Sequence, residues 1–459
     1  MSMRQGETER VGRWVWICRL AGLAWVLGVV VPYGLSKPQN DDFPQLYMAG
    51  VVAAERAWPG LYRHGVRGKP EGDVKPAKTE AQAQRVGRPS YEQLRAERGV
   101  PRMNPTIYPP PVGFLMLPLG WLSFGGARVV FAVVSGLCAW GGGLQAGWMY
   151  RRLVGRRSVV EGWLVLTVCL SPLLVRGMRV MNISLILGVL VGGAMLAVMN
   201  HRRVGSAAAV CVAGVFRASS GPLVLLLVGL GRWRSLAWIG AGTAAVVALM
   251  VGVMGWGPVV EFVGRGLPAA LQPYELAANQ SAGAFAVRMG WLARDPARWV
   301  SGLGVMLLLA MGLRLLTLRR GVEARPAAVV GAGWAMMLVW FAFSPIFWSH
   351  YHLMTTAWWG FLAWSLREAA GGIGAGGPGR WLGWGVLVVV GLAWLSVGVP
   401  LVVAGGGRYL SAEPWRSHVL LGSLVLAGWS WWQVERLARQ AEAGVAEAAR
   451  GGAGGSDRG

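Results

Sequence analysis

Apolar runs of about 18 to 25 residues recur along this chain from near Trp14 to near Trp432, each long enough to cross about 30 Å of hydrocarbon. Lipid offers no water to backbone N–H and C=O groups, so runs of this length dictate helices that bond within themselves. Only 14% of the 459 residues are charged and 54% are hydrophobic, whereas a soluble domain carries about 25% charged residues. A soluble enzyme, a disordered chain and a secreted disulfide scaffold are excluded. The fold class is an all-α polytopic membrane protein.

The net charge of +23 invites a nucleic-acid partner, but the arginines are distributed as in a membrane protein. They fall in short bands between apolar runs: Arg151, Arg152, Arg156 and Arg157; Arg202 and Arg203; Arg232 and Arg234; Arg319 and Arg320. Such bands orient spans, because cytoplasmic loops collect Lys and Arg. The partners are therefore membrane lipids, with no nucleic acid. Cys18, Cys138, Cys169 and Cys211 lie singly in apolar stretches and read as packing residues. Without paired cysteines or a dense acidic cluster, neither a metal nor a cofactor is expected.

The first run, Trp14 to Leu35, is too long for a signal-peptide core and lacks a small-residue cleavage pattern, so it reads as a retained span. Arg4, Arg10 and Arg13 precede it and place residues 1–13 in the cytoplasm. The stretch Ser36 to Ile107 then holds eight of the 21 acidic residues and all four lysines. A polar connection of this length is unusual and tends to be functional. The domain order follows: a span at 14–35, an outer loop with interfacial helices at 36–126, a multi-span region at 127–434, and a cytoplasmic low-complexity tail at 435–459.

Two runs decide the threading. Pro111 to Phe124 is short and interrupted by Pro118, and Val204 to Leu230 is broken by Arg217 and by Ser219-Ser220-Gly221-Pro222. Taking the first as an interfacial helix and the second as two short spans puts Arg151, Arg152, Arg156, Arg157, Arg202 and Arg203 inside. That threading gives about twelve transmembrane helices, with spans near 158–175, 182–200, 204–217, 219–231, 235–256, 299–318, 327–345, 352–368, 381–403 and 417–434 among them. The tail from Gly444 is expected to be disordered.

The polar features then converge on the outer face. Asp41 and Asp42, two of only five aspartates, follow the first span. Arg128, Arg176 and Arg179 stand against the inside bias, and Asn279-Gln280-Ser281 and His350 share the same face. Arginines suit bidentate binding of phosphate, and a carboxylate can take a proton from an attacking hydroxyl. Chemistry on an anionic lipid fits this set. Asp41 and Asp42 are equally well placed to cap a short helix, and either role or both remain open on chemistry alone.

These residues also carry a resemblance. Asp42-Phe43 with Tyr47 and Ala49, then Gly60-Leu61-Tyr62, then Tyr108-Pro109-Pro110 running into Leu115 to Leu119, resemble the bacterial polyprenol-phosphate-mannose-dependent α-mannosyltransferases. These form glycosyltransferase family 87, with the C-type glycosyltransferase architecture. The likeness continues through Asn182, Asn279-Gln280-Ser281 with Arg288, and Ser344-Pro345 through Trp348-Ser349-His350. It implies transfer of a hexose, usually mannose, from a polyprenyl-phosphate donor to a lipid or glycan acceptor at the outer face of the plasma membrane. By that resemblance Asp42 holds the general-base position, Asp41 neighbours it, and His350 contacts donor phosphate or orients the base. Asn182, Asn279, Gln280, Ser281 and Tyr108 are the implied substrate contacts, and the outward Arg128, Arg176 and Arg179 are the candidates for binding the donor phosphate. Attack in one displacement would invert the anomeric carbon.

The chain departs from the family pattern in three places. Arg179-Val180-Met181-Asn182 stands where Gly-Gln-x-Asn is usual, Ser219 stands where a lysine precedes Pro222, and Arg63 to Met103 lengthens the first loop. Three other readings compete with transfer: a polytopic transporter or lipid flippase built around the broken run, a non-catalytic scaffold, and an inactive relative. The scarcity of acids within the spans and the large acidic loop disfavour transport. His352 reads as an interfacial residue among aromatics.

Overall fold

The computed structural model describes residues 2–36, 42–55, 91–101, 108–216, 220–270, 279–345, 347, 349–373 and 418–453. Helix dominates the described residues, as hydrocarbon demands. The first helix, α1, covers Ser2–Trp25, passes through a π-helical stretch at Val26–Val30 and resumes over Val31–Ser36. Next come the short α2 (Phe43–Ala54), α3 (Tyr91–Glu97) and α4 (Pro110–Gly120). The long α5 (Phe124–Val154) leads to α6 (Val159–Cys169), α7 (Pro172–Val180), α8 (Ser184–Met199), α9 (Arg203–Phe216) and α10 (Gly221–Gly229).

Beyond these lie α11 (Trp233–Met254), the broken helix α12 (from Gly257–Glu261 to Leu267–Ala270), and α13 (Ala282–Arg288). The chain closes with α14 (Arg294–Glu323), α15 (Pro326–Phe343), α16 (a 3-10 stretch Ser349–Trp358 continuing as Trp359–Ile373) and α17 (His418–Ala453). Among the described residues six helical stretches are long and apolar enough to cross a membrane: Glu7–Ser36, Phe124–Val154, Val159–Val180, Trp233–Met254, Trp299–Glu323 and Pro326–Phe343. The chain is a multi-pass membrane protein. The expected span at 381–403 lies outside the described residues.

Local sequence sets the breaks. Ser123 caps α5 by accepting from the Gly126 N–H, and α5 ends at Gly155, whose φ of 78° is a left-handed conformation that glycine adopts without strain. Ser158 and Glu161 form a capping box at the start of α6. Ser171 caps α7 and Pro172 starts it, splitting the 159–180 run into two helices.

The run Val204 to Leu230 is two helices, and its ends meet. Arg232, just after α10, donates through Nη1 to the Val198 carbonyl at 2.5 Å and lies 3.3 Å from the His201 ring, just before α9. The pair therefore leaves from and returns to one end of the molecule. An α-helix rises about 1.5 Å per residue, so neither the 14 residues of α9 nor the 9 of α10 spans about 30 Å of hydrocarbon alone. The 11 residues of α4 fall short in the same way.

Packing relies on small residues, since lipid provides little hydrophobic drive between helices. A Cβ on Gly120 would stand 2.4 Å from the Gly50 carbonyl carbon, so α2 and α4 cross backbone to backbone. A Cβ on Gly360 would meet the Ala146 carbonyl oxygen at 2.1 Å, which locks α16 against α5. Two expectations are corrected. Residues past Gly444 continue α17 to Ala453, because the Ala and Glu of that stretch are strong helix formers. His352 is buried, 1% exposed, and hydrogen-bonded to Ser423 Oγ at 3.0 Å, with Phe347 against its ring; it is a packed residue, not an interfacial one.

Candidate active site

Asp42 occupies the N-cap position of α2, yet its side chain makes no capping bond. Pro44 is the reason visible in the sequence. At the second helical position it has no N–H, which removes one of the two donors a capping carboxylate uses. The half-buried carboxylate instead accepts from Asn182 Nδ2 at 2.5 Å, across 140 residues of chain.

Asn182 is itself held. The Ser184 backbone N–H donates to Asn182 Oδ1 at 2.8 Å, and Ser184 Oγ donates to the same oxygen. A backbone N–H can only donate, so the amide oxygen must face Ser184 and the NH₂ must face Asp42. The residue before, Met181, takes a left-handed conformation with φ 45° and ψ 50°, and its N–H closes the end of α7 on the Gly177 and Met178 carbonyls. A buried methionine there is strained, a condition that concentrates at functional sites.

The backbone beneath Asp42 is anchored by aromatic packing. Phe43 is fully buried, its ring 5.1 Å from Phe131, 5.7 Å from Phe124 and 6.1 Å from Tyr47. Tyr47 donates its hydroxyl to the Leu122 carbonyl at 2.8 Å. Tyr108 is buried just before α4.

The arginines divide. Arg128 donates to the Leu35 carbonyl at 2.8 Å and the Gly34 carbonyl at 3.4 Å, closing the end of α1. A cation at a helix C-terminus is stabilised by the helix dipole, and this contact fixes the chain six residues before Asp41. Arg176, half-buried, and Arg179, exposed, lie three residues apart on α7 and so on one face, next to the turn that presents Asn182.

Asn279, Gln280 and Ser281 form a clasp. Asn279 Nδ2 donates to the Pro345 carbonyl at 3.0 Å, while its Oδ1 accepts from the Phe347 and Ser281 N–H groups at 2.9 and 3.2 Å. The Gln280 N–H donates to the Phe347 carbonyl at 2.6 Å. Ser281 caps α13 through the Ala284 N–H, and Arg288 donates to the Asn279 carbonyl at 2.7 Å. The side chains expected to touch substrate thus join one loop to the turn that starts α16, the helix bearing His350. The His350 side chain, Asp41, Arg217 and Ser219 lie outside the described positions.

Sequence reasoning missed Ser184 and Pro44. The signal for both was local: a serine two residues after an asparagine, and a proline two after an aspartate.

An acid turned away from capping and held by an amide thus stands within a helical membrane fold. The model of glycosyltransferase family 87 matches residues 106–345, more than half of the chain, and the chain belongs to that family. It is a membrane glycosyltransferase. The matched stretch contains Arg128, Arg176, Asn182 and the 279–281 clasp; it begins after Asp42 and ends before His350. A search of curated proteins finds no match.

Proposed function

We propose that this protein transfers a hexose, mannose by its family likeness, from a polyprenyl-phosphate donor to an acceptor hydroxyl, in one inverting displacement. Asp42 is the general base. It takes the proton of the acceptor hydroxyl as that oxygen bonds to the anomeric carbon, and the C–O bond to the donor phosphate breaks with its electron pair leaving on the polyprenyl phosphate. The observation that carries this reading is the Asp42–Asn182 hydrogen bond. The amide holds one oxygen of the carboxylate and so sets the direction from which the group can take a proton. Asn182 thereby positions the base.

Arg176 and Arg179 are the residues we assign to the donor phosphate, where charge grows as the bond breaks and a bidentate cation stabilises it. Arg128 holds the end of α1 and frames the base. The acceptor is a lipid or glycan, and the arginine bands at the far end argue for a plasma-membrane protein with Asp42 facing outward.

The test is to incubate membranes containing the protein with labelled polyprenyl-phosphate mannose and follow the label into extractable glycolipid or glycan. Transfer by the wild-type protein and not by Asp42→Asn supports the proposal. Label that crosses the bilayer still attached to its polyprenyl phosphate would replace transfer with transport.

A further inference from the structure

The end of the molecule opposite Asp42 carries a cavity of about 660 Å³ between the ends of α5 and α8. That volume lies in the range of small-ligand sites, about 300–1,000 Å³. Five arginines line it: Arg151, Arg152, Arg156, Arg157 and Arg202, with no carboxylate in the lining. Among the described residues none of the five has a hydrogen bond or ion pair through its guanidinium. Glu161 is close enough to influence Arg151 and Arg157, but it is buried in α6, caps Ser158 and sits 4.0 Å from Arg19. A need for cytoplasmic charge explains arginines in a loop; it does not explain five of them turned around one concave space.

The remainder of the lining is apolar or small. Trp148, 44% exposed, and Leu196 border the cavity, and Ala197 lies within its wall. Tryptophan favours the boundary between headgroups and hydrocarbon. A ligand with anionic oxygens on one side and hydrocarbon on the other suits both walls. Basic pockets between membrane helices hold phosphate-bearing lipid headgroups in this way, and guanidinium forks bind phosphate oxygens in pairs.

We propose that this cavity binds the headgroup of an anionic glycerophospholipid, and that a headgroup with two phosphates is held best because it answers more of the five charges. The site is separate from the Asp42 centre and does not depend on the reaction proposed there.

The full-length protein, purified in detergent and stripped of lipid, is titrated with diphosphatidylglycerol, phosphatidylcholine or inorganic phosphate while its thermal unfolding is followed. Diphosphatidylglycerol should raise the unfolding temperature. The apparent affinity should fall by at least about tenfold in Arg151→Gln/Arg156→Gln, which removes two charge-assisted partners. Ala197→Phe, which fills the cavity and leaves every arginine in place, should lose the response as well, and it remains informative if the double variant folds poorly. Arg320→Gln/Arg325→Gln removes the same charge outside the cavity and should respond as wild type. An equal response to phosphatidylcholine, or an equal loss in the Arg320/Arg325 pair, overturns a specific site. An equal response to inorganic phosphate at matched phosphate concentration overturns the lipid as its occupant.

Discussion

The two ends of this molecule treat charge in opposite ways. Toward Asp42 the polar side chains are held in place: Ser184 fixes Asn182 and Asn182 fixes Asp42, while Arg128 closes α1 through backbone carbonyls. At the far end Arg151, Arg152, Arg156, Arg157 and Arg202 surround a cavity without such partners among the described residues. An end whose side chains are oriented by fixed partners suits chemistry, in which small errors of placement are costly. A cavity of five cations with no partner among the described residues is suited to an anion that arrives from outside. Mutual constraint, not abundance of charge, marks the proposed reaction centre.

The largest test of this contrast is Asp42→Asn, which keeps the volume and removes the proposed base. Transfer of labelled sugar should fall by about two to four orders of magnitude. Asp41→Asn should do less, and the reverse ranking would exchange their roles. Asn182→Ala comes next. Loss of a hydrogen bond to a charged group costs about 1.5–3 kcal/mol, so turnover should drop about tenfold to a hundredfold with the protein still folded. Normal turnover in that variant would break the comparison, because the Asp42 end would then owe nothing to its internal order.

Gly120→Val tests packing under the site. Its Cβ would meet Gly50 backbone that no side-chain rotation can move, so thermal unfolding in detergent should show a loss of about 1–3 kcal/mol. Ser184→Ala removes the hydroxyl but keeps the backbone donor to Asn182, and turnover should fall only about twofold to tenfold. The smallest expected effect is Arg128→Lys. A lysine still reaches one carbonyl at the end of α1, so the KM for the donor should stay within about twofold while the unfolding temperature falls slightly. A tenfold rise in KM would instead move Arg128 from the frame of the site to the donor phosphate.

Much of the fold was legible because hydrophobic length and charge placement are properties of single segments. The break in Val204 to Leu230 could be read from Arg217 and Pro222 together with the arginines flanking the run, and α9 and α10 do return to one end. Less was legible where a side chain's task depends on distant backbone. Nothing near Arg128 indicates that its partner is a carbonyl 93 residues earlier. Asn279 and Ser281 carry chemistry that fits a sugar as well as it fits a peptide, and it is the approach of Pro345 and Phe347, distant in sequence, that engages the Asn279 amide. The stretch after Gly444 was misread because glycine suggested disorder, where Ala443, Ala446, Glu447 and Ala448 favour helix.

The 140 residues between Asp42 and Asn182 also impose an order in time. A chain inserted from its N-terminus exposes the acid early, when the amide that will steer it has not yet been made. Until α5, α6 and α7 have entered the membrane and the Met181 turn has closed, Asp42 is an ordinary carboxylate at the start of a short helix. The proposed reaction centre is therefore a late product of assembly, although its acid is synthesised before the amide that aims it, and a nascent chain halted before Asn182 carries the acid without the means to aim it.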